Sequence, residues 1–114
     1  MTVKVKRVYE PATADDGMRV LVDRLWPRGI SKDKAKIALW LKEIAPSNAL
    51  RKWYGHDPAK WTEFRRRYAA ELKDNPEPIQ ELRTLAQAKT VTLLFSSKEL
   101  ELNNAVALKE MLRK

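Results

Sequence analysis

Two arginines that flank a tryptophan are the residues of this chain whose types and spacing point most directly to chemistry. Arg24, Trp26 and Arg28 follow the apolar residues 20–22, which are typical of a buried strand. Pro27 cannot donate to a strand ladder, so these side chains belong to the loop after the strand. Guanidinium groups bind phosphate and carboxylate oxygens in pairs, and an indole is flat. The sequence therefore predicts a site for a phosphate or another planar anion at the end of this strand.

A second polar group follows the apolar residues 90–95, which predict another buried strand. Ser96, Ser97 and Lys98 could hold an oxyanion through hydroxyl groups, backbone amides and one positive charge. We expect Asn103 to orient the ligand. Because the carboxyl ends of parallel strands meet at one edge of a sheet, both polar groups are predicted to lie at the same edge.

Each of these groups also has a purely structural interpretation. Trp26 could pack into the core while the arginines pair with Asp23 or with surface acids. Residues 96–98 could form an ordinary polar turn, because the chain has only three glycines and no phosphate-binding glycine fingerprint.

The chain offers little for metal binding or acid–base catalysis. It has no cysteine and one histidine, which excludes thiolate catalysis and any multi-histidine metal site within one chain. His56 is the one imidazole that could act as acid or base, although its place before Asp57 and Pro58 favours a role at a helix start. Asp15 and Asp16 are the only hint of a hard-cation site. We therefore predict no metal and no cofactor, and the catalytic residue is unassigned.

Hydrophobic patterning predicts the strands that position these groups. Residues 3–8 alternate apolar and charged side chains, as in a strand with one exposed face. Asp16 and Gly17 resemble a hairpin-type turn into a strand at 19–23. The run 90–95 is predicted to be an interior strand flanked by 19–23. Residues 37–45 are ambiguous, and we favour a short helix followed by an extended segment.

Capping residues and apolar stripes predict the helices. Ser31, Ser47 and Asn103 are expected to cap helices, and Asp57-Pro58 and Asn75-Pro76 to begin two more. Gly55 should end the second helix. Apolar side chains at helical spacing should face the core: Trp61, Phe64, Tyr68, Leu72, Ile79, Leu82, Leu85, Leu108 and Leu112. Arg65, Arg66 and Arg67 should fan out around their helix, with the first two facing solvent.

Together these elements predict an α/β fold: a single small domain over residues 1–114, with a largely parallel sheet of three to four strands and flanking helices. The 44% hydrophobic and 33% charged composition fits a soluble globular protein. The formal net charge of +8 lies mostly in residues 1–76 and forms no basic tail. It favours anionic partners in general. No apolar run could span a membrane, and no secretion signal is recognisable, so we expect a cytoplasmic protein without a membrane partner.

In its motifs the chain resembles the YeaO-like branch of the domain-of-unknown-function 488 family. The resemblance covers nearly the whole chain and rests on these segments: residues 7–11 (RVYEP), 19–29 (RVLVDRLWPRG), 44–47 (IAPS), 50–53 (LRKW), 55–58 (GHDP), 64–68 (FRRRY) and 92–98 (TLLFSSK). It implies a small α/β protein of the bacterial or archaeal cytosol. The polar residues that match the family pattern are Arg24, Arg28, Lys42, Ser47, Arg51, His56, Lys98 and Asn103.

One residue departs from that pattern. Relatives usually carry a histidine after the last strand, where this chain has Leu102. If that histidine is an acid, a base or a ligand in relatives, this chain lacks its chemistry.

We therefore expect an anion-binding α/β domain whose ligand-binding residues are Arg24, Trp26, Arg28, Lys42, Ser47, Arg51, Lys98 and Asn103. Its partner would be a phosphorylated or otherwise anionic small molecule, and whether a reaction follows is left open. Two alternatives are a nucleic-acid-associated regulatory module that uses the dispersed basic surface, and a structural or adaptor protein without a small ligand. The ligand's identity and the oligomeric state do not follow from the sequence.

Overall fold

The strand at Val91–Phe95 is buried along its whole length and lies inside a sheet of four parallel strands. A computed structural model describes residues 1–113. The strands are β1 (Val3–Arg7), β2 (Met18–Leu21), β3 (Leu39–Trp40) and β4 (Val91–Phe95), in the spatial order β1-β4-β2-β3. Val91 lies opposite both Val3 and Met18. The predicted interior strand and its neighbour are confirmed, as is the α/β class.

Five helices accompany the sheet in the described part of the chain: α1 (Lys32–Ala35), α2 (Asn48–Tyr54), α3 (Trp61–Asp74), α4 (Glu77–Ala88) and α5 (Asn104–Leu112). Ser31, Ser47 and Asn103 cap α1, α2 and α5 as predicted, because each side chain accepts a hydrogen bond from a backbone amide of the first turn. Asp57 caps a 3₁₀ turn, Pro58–Lys60, that leads directly into α3. None of the helices described is long and apolar enough to cross a membrane.

Both faces of the sheet are covered, which is what a parallel sheet requires. The larger core contains the stacked rings of Tyr54 and Phe64, whose centroids are 4.2 Å apart, and the buried Tyr68. Burial raises the pKa of Tyr68 well above its ordinary value, and its hydroxyl donates to the carbonyl of Ile44. A smaller cluster on the other face includes Leu21 and Leu94. The predicted stripe of α3 is confirmed, with Trp61 half-buried at its start.

Two local predictions are wrong. Asp16 and Gly17 do not form a hairpin turn, because β1 and β2 run parallel and β4 lies between them. In residues 37–45 the extended segment comes first, at Leu39–Trp40, and a 3₁₀ turn at Lys42–Ile44 follows. Pairing with β2 decided this conformation, since Leu39 lies opposite Val20, and local spacing could not reveal that partner.

The three arginines of α3 form ion pairs with two neighbouring acids. Arg66 binds both carboxylate oxygens of Glu63 at 2.7 Å, and Arg67 donates to the same carboxylate at 2.8 Å. Hydrogen bonds from Arg66 and Arg67 lower the pKa of Glu63 to about 2. The prediction that Arg65 faces solvent is wrong, because its half-buried guanidinium pairs with Glu110 on α5 at 2.9 Å. Two arginines therefore converge on one acid instead of fanning out.

A buried charge cluster connects the segment between β1 and β2 to the sheet. The Asp16 carboxylate, 2% exposed, accepts hydrogen bonds from Lys6 at 2.9 Å and from the equally buried Arg19 at 2.8 Å. Burial by itself would raise the pKa of Asp16, but the hydrogen bonds from Lys6, the Thr13 amide and Arg19 outweigh it and hold that pKa far below 3.8. The Asp16 carboxylate therefore has a structural role. Residues 1–113 contain no group of three or more His, Cys, Asp or Glu residues that could hold a metal ion.

Replacement of Gly17 by alanine should destabilise the fold strongly. Gly17 has a φ of +64°, and a Cβ there would lie 2.8 Å from the carbonyl carbon and Cβ of Thr90. Gly29 also has a positive φ, +73°, but a Cβ there would meet open space. In urea unfolding, Gly29→Ala should lose about 1 kcal/mol from backbone strain alone, and Gly17→Ala should lose clearly more. Equal losses would contradict the close approach to Thr90.

Loss of the Asp16 charge should lower the free energy of unfolding by about 3 kcal/mol at neutral pH, because Asp16→Asn leaves Arg19 buried without its counter-charge. The pKa of Asp16 is lower in the folded state than its ordinary value of 3.8. Its stabilisation is therefore fully present above that value and disappears as the pH falls below it. Urea titrations of both proteins should show a gap that narrows at acid pH. A constant gap would mean that the charge is not responsible.

Candidate functional site

Asp23 joins the two polar groups that the sequence places after β2 and β4. One carboxylate oxygen of Asp23 accepts hydrogen bonds from the backbone amide of Ser96 at 2.9 Å and from its hydroxyl at 2.8 Å. The other oxygen accepts from the side-chain amide of Asn104, at the start of α5, at 3.1 Å. The indole of Trp40 donates to the Asp23 carbonyl at 2.7 Å. The ends of three strands and one helix are therefore held together at this residue.

A cleft of about 680 Å³ opens at this edge of the sheet. Nine of the residues that the sequence analysis singles out line it: Arg24, Trp26, Arg28, Arg51, His56, Ser96, Ser97, Lys98 and Asn103. The loops after β1, β2 and β4 and the end of α2 supply the walls. The expectation that polar groups after different strands converge at one edge therefore holds for most of the predicted set.

Lys42 and Ser47 lie outside the lining of this cleft. The Lys42 ammonium sits 5.5 Å from the centre of the Trp40 ring. The Ser47 hydroxyl donates to Glu71 at 2.6 Å and accepts from the Leu50 amide at 3.1 Å, so it is occupied as a helix cap. Both residues therefore make contacts outside the cleft and do not line it.

Two of the cleft's arginines are fixed by backbone carbonyls. Arg7 donates to the carbonyls of Ser96 and Ser97, both at 2.9 Å. Arg24 donates to the carbonyl of Ala45 at 3.0 Å and to that of Pro46 at 3.4 Å. Because several donors of each guanidinium are engaged with backbone oxygens, these two arginines serve chiefly as parts of the wall, although their charges remain.

Arg28 and Lys98 differ from the fixed arginines. Both are exposed, and neither side chain has a hydrogen bond or ion pair with any residue in the described range 1–113. Arg51, also exposed, donates only to the side-chain oxygen of Asn48, at 3.2 Å. These three side chains are therefore the cations of the cleft with the most unused hydrogen-bonding capacity.

His56 and Asn103 have clear structural surroundings. His56 follows Gly55, and both adopt left-handed backbone conformations, with φ of 57° and 52°. This conformation is uncommon for residues other than glycine. The exposed imidazole of His56 lines the cleft. Asn103 is 1% exposed: its oxygen caps α5, and its amide nitrogen donates to the Glu99 carbonyl at 2.9 Å.

Two other groups around the cleft have shifted pKa values. Hydrogen bonds from the amides of Glu101 and Leu102 lower the pKa of Glu99, and nearby His56 adds a smaller effect in the same direction. Burial raises the pKa of Tyr54, which lines the cleft, and the negative charges of Glu99 and Asp57 raise it further. The Tyr54 hydroxyl donates to the carbonyl of Leu102 at 2.7 Å.

Some residues of the cleft escaped the sequence analysis as site residues. Arg7, Tyr9, Asp23 and Asn104 all line it. A signal existed for two of them, because Arg7 is the last residue of β1 and Asp23 follows the apolar run of β2. A polar residue at the carboxyl end of each parallel strand is the general pattern that would have found both.

The sequence model of the inactive DUF488-N3 subclade matches residues 2–114. The chain belongs to the DUF488 family. Among its relatives, the uncharacterized protein YeaO of Escherichia coli is 42% identical over 113 residues, which cover 99% of this chain and 98% of YeaO. The uncharacterized protein Rv3073c of Mycobacterium tuberculosis is 44% identical over 110 residues, 96% of this chain and 92% of the relative. No solved structure gives a significant match.

Leu102, which stands where the resemblance leads us to expect a histidine, is half-buried in this DUF488 chain and does not line the cleft. Its backbone is tied on both sides, since its amide donates to Glu99 at 3.1 Å and its carbonyl accepts from Tyr54. The segment between β4 and α5 therefore keeps an ordered conformation with leucine at this point.

Truncation of Asp23 should loosen the edge of the sheet. Asp23→Ala leaves the amide of Ser96 and the side chain of Asn104 without their acceptor, so the free energy of unfolding should fall by about 1–3 kcal/mol. Asp23→Asn keeps one acceptor oxygen and should lose less. Asp74→Ala, an exposed acid at the end of α3, is the control and should change stability by less than about 0.5 kcal/mol. Urea unfolding of the three variants is the measurement, and similar values for all would remove Asp23 from its structural role.

Proposed function

We propose that this DUF488 protein binds a phosphorylated or otherwise anionic small molecule in the cleft at the carboxyl end of the sheet. The observation that carries the proposal is the pair Arg28 and Lys98, two exposed cations that line one cleft and have no partner within residues 1–113. Parallel α/β sheets generally bind their ligands at this edge. The free donors of both side chains are then available to the oxygens of an anion.

The charge balance of the cleft supports an anionic ligand. Five cationic side chains line it, Arg7, Arg24, Arg28, Arg51 and Lys98, against the single carboxylate of Asp23. Asp23 already accepts three hydrogen bonds, and Arg24 has only a distant acid, Glu43, at 3.9 Å. Cations gathered in one cleft repel each other, and a bound anion relieves this repulsion.

The fixed and free cations would have different roles. Arg7 and Arg24 are held by backbone carbonyls, so their charges are already in place before the ligand arrives. Such preorganisation lowers the entropic cost of binding. Arg28 and Lys98 would make the direct contacts, and Arg51 would add a third contact from α2. Asn103 is committed to its cap, so we assign it the smaller role of shaping the wall.

Binding without catalysis is the form of this function that we favour. The matching subclade is described as inactive, and this chain has leucine at 102 where the family resemblance predicts histidine. His56 is the one imidazole at the cleft.

Arg28→Ala should abolish or strongly weaken the binding of inorganic phosphate while leaving the fold as stable as before. Isothermal titration measures the affinity, and thermal unfolding measures the stability. Lys98→Ala should weaken phosphate binding as well. Lys73→Ala, which removes an exposed cation of α3 outside the cleft, should bind phosphate as the parent protein does.

Two results would contradict the proposal. One is an unchanged phosphate affinity in both cleft variants. The other is a loss of about 1–3 kcal/mol of stability in Arg28→Ala, which would show that the guanidinium serves a structural pair. The nucleic-acid alternative, at another surface, would be favoured if the protein binds duplex DNA with an affinity that falls steeply with salt concentration and if Arg28→Ala leaves that affinity unchanged.

A further inference from the structure

Exposed apolar side chains gather at the mouth of the cationic cleft. Among residues 1–113 the large exposed apolar residues are Met1, Tyr9, Leu25, Trp26 and Leu100. Three of these five line the cleft: Tyr9, Leu25 and Trp26, which are 43%, 60% and 37% exposed. Apolar surface concentrated beside a pocket indicates a binding surface more often than the same residues scattered singly.

The ring of Trp26 is held in one orientation. Its indole nitrogen donates to the carbonyl of Ile30 at 2.9 Å, and its ring meets Trp40 edge to face with centroids 5.3 Å apart. Trp40 is itself fixed by its hydrogen bond to Asp23. A large aromatic surface that is already immobile loses little conformational entropy when a ligand packs against it.

Tyr9 is fixed against the same loop. Its hydroxyl donates to the carbonyl of Arg28 at 3.0 Å, and the Arg7 guanidinium lies 4.7 Å from the centre of its ring. The aromatic rings of Tyr9 and Trp26 are thus tied to the backbone carbonyls of Arg28 and Ile30 in one loop. Arg28, which supplies one of these carbonyls, also carries the free cation. Aromatic surface and unused positive charge are therefore adjacent in this cleft.

The cleft is larger than an inorganic anion needs. A water molecule takes up about 30 Å³ of liquid, so a bare phosphate would fill only a small part of 680 Å³. The volume instead lies in the range typical of sites for organic ligands with apolar bodies and a few polar groups. The remaining space has aromatic and aliphatic side chains on its rim.

We infer that the ligand is an anion carrying a flat aromatic group, with the charged end at Arg28 and Lys98 and the aromatic group against the ring of Trp26. This inference rests on the anion-binding function proposed above and assigns it a substrate class, the aryl phosphates and related aromatic anions. Trp26 is then a specificity-determining residue, and Arg28 is the residue that confers affinity for the anion.

The test compares three phosphates by isothermal titration at about pH 8, where their second ionisation is largely complete. Phenyl phosphate and cyclohexyl phosphate have similar size, but only the first is flat and aromatic; inorganic phosphate has no organic group. The protein should bind phenyl phosphate about tenfold more tightly than cyclohexyl phosphate, as expected for one stacking contact. Trp26→Leu should remove this preference, so that the ratio of the two ester affinities falls to about one.

Two further variants keep the test decisive. Trp26→Phe retains an aromatic ring and should retain most of the preference, even if Trp26→Leu folds poorly. Trp53→Leu removes a tryptophan of α2 that contacts Arg67 and Lys60 outside the cleft, and it should behave as the parent protein does.

The outcomes separate the two proposals. If neither inorganic phosphate nor either phosphate ester binds, the anion-binding function itself is overturned. Phosphate binding with equal affinities for the phenyl and cyclohexyl esters would overturn only the aromatic substrate class. A preference that survives in Trp26→Leu would overturn the assignment of Trp26.

Discussion

The hydrogen bonds of one carboxylate hold together the edge of the sheet at which the cleft opens. Asp23 follows β2, and its side chain accepts from Ser96 after β4 and from Asn104 at the start of α5. Pairing between parallel strands does not itself connect the loops that follow their carboxyl ends, so those loops could move apart. Asp23 supplies that link, and the cleft has a defined shape because its walls begin at fixed points.

The cationic side chains of this cleft are of two kinds, those bound to backbone carbonyls and those without a partner in the described residues. Arg7 and Arg24 satisfy backbone carbonyls that loops leave unpaired, so they are needed by the fold whether or not a ligand binds. The side chains of Arg28 and Lys98 make no hydrogen bond or ion pair within residues 1–113. No contact in that range therefore offsets the electrostatic repulsion between them and the other cations of the cleft. The contrast separates side chains that bind the backbone of the fold from side chains that remain available to a ligand.

The sequence predicted the parts of this structure that depend on local chemistry. Caps at Ser31, Ser47 and Asn103, and the buried run of β4, follow from residue types and spacing. The conformation of residues 39–40 did not, because it depends on pairing with β2. The pairing of Arg65 with Glu110 likewise needs a helix 45 residues away. Lys42 and Ser47 matched the family pattern, yet only the three-dimensional arrangement shows that neither faces the cleft.

The spatial order of the strands has a consequence for how the chain acquires its structure during synthesis. β1 and β2 are made first, but each needs β4 as its neighbour, and β4 begins only at Val91. A nascent chain on the ribosome can form α2 or α3 early, whereas the two earliest strands have no β4 to pair with until it emerges. The edges of β1 and β2 that pair with β4 therefore keep unpaired backbone groups until β4 emerges, and such open strand edges favour aggregation.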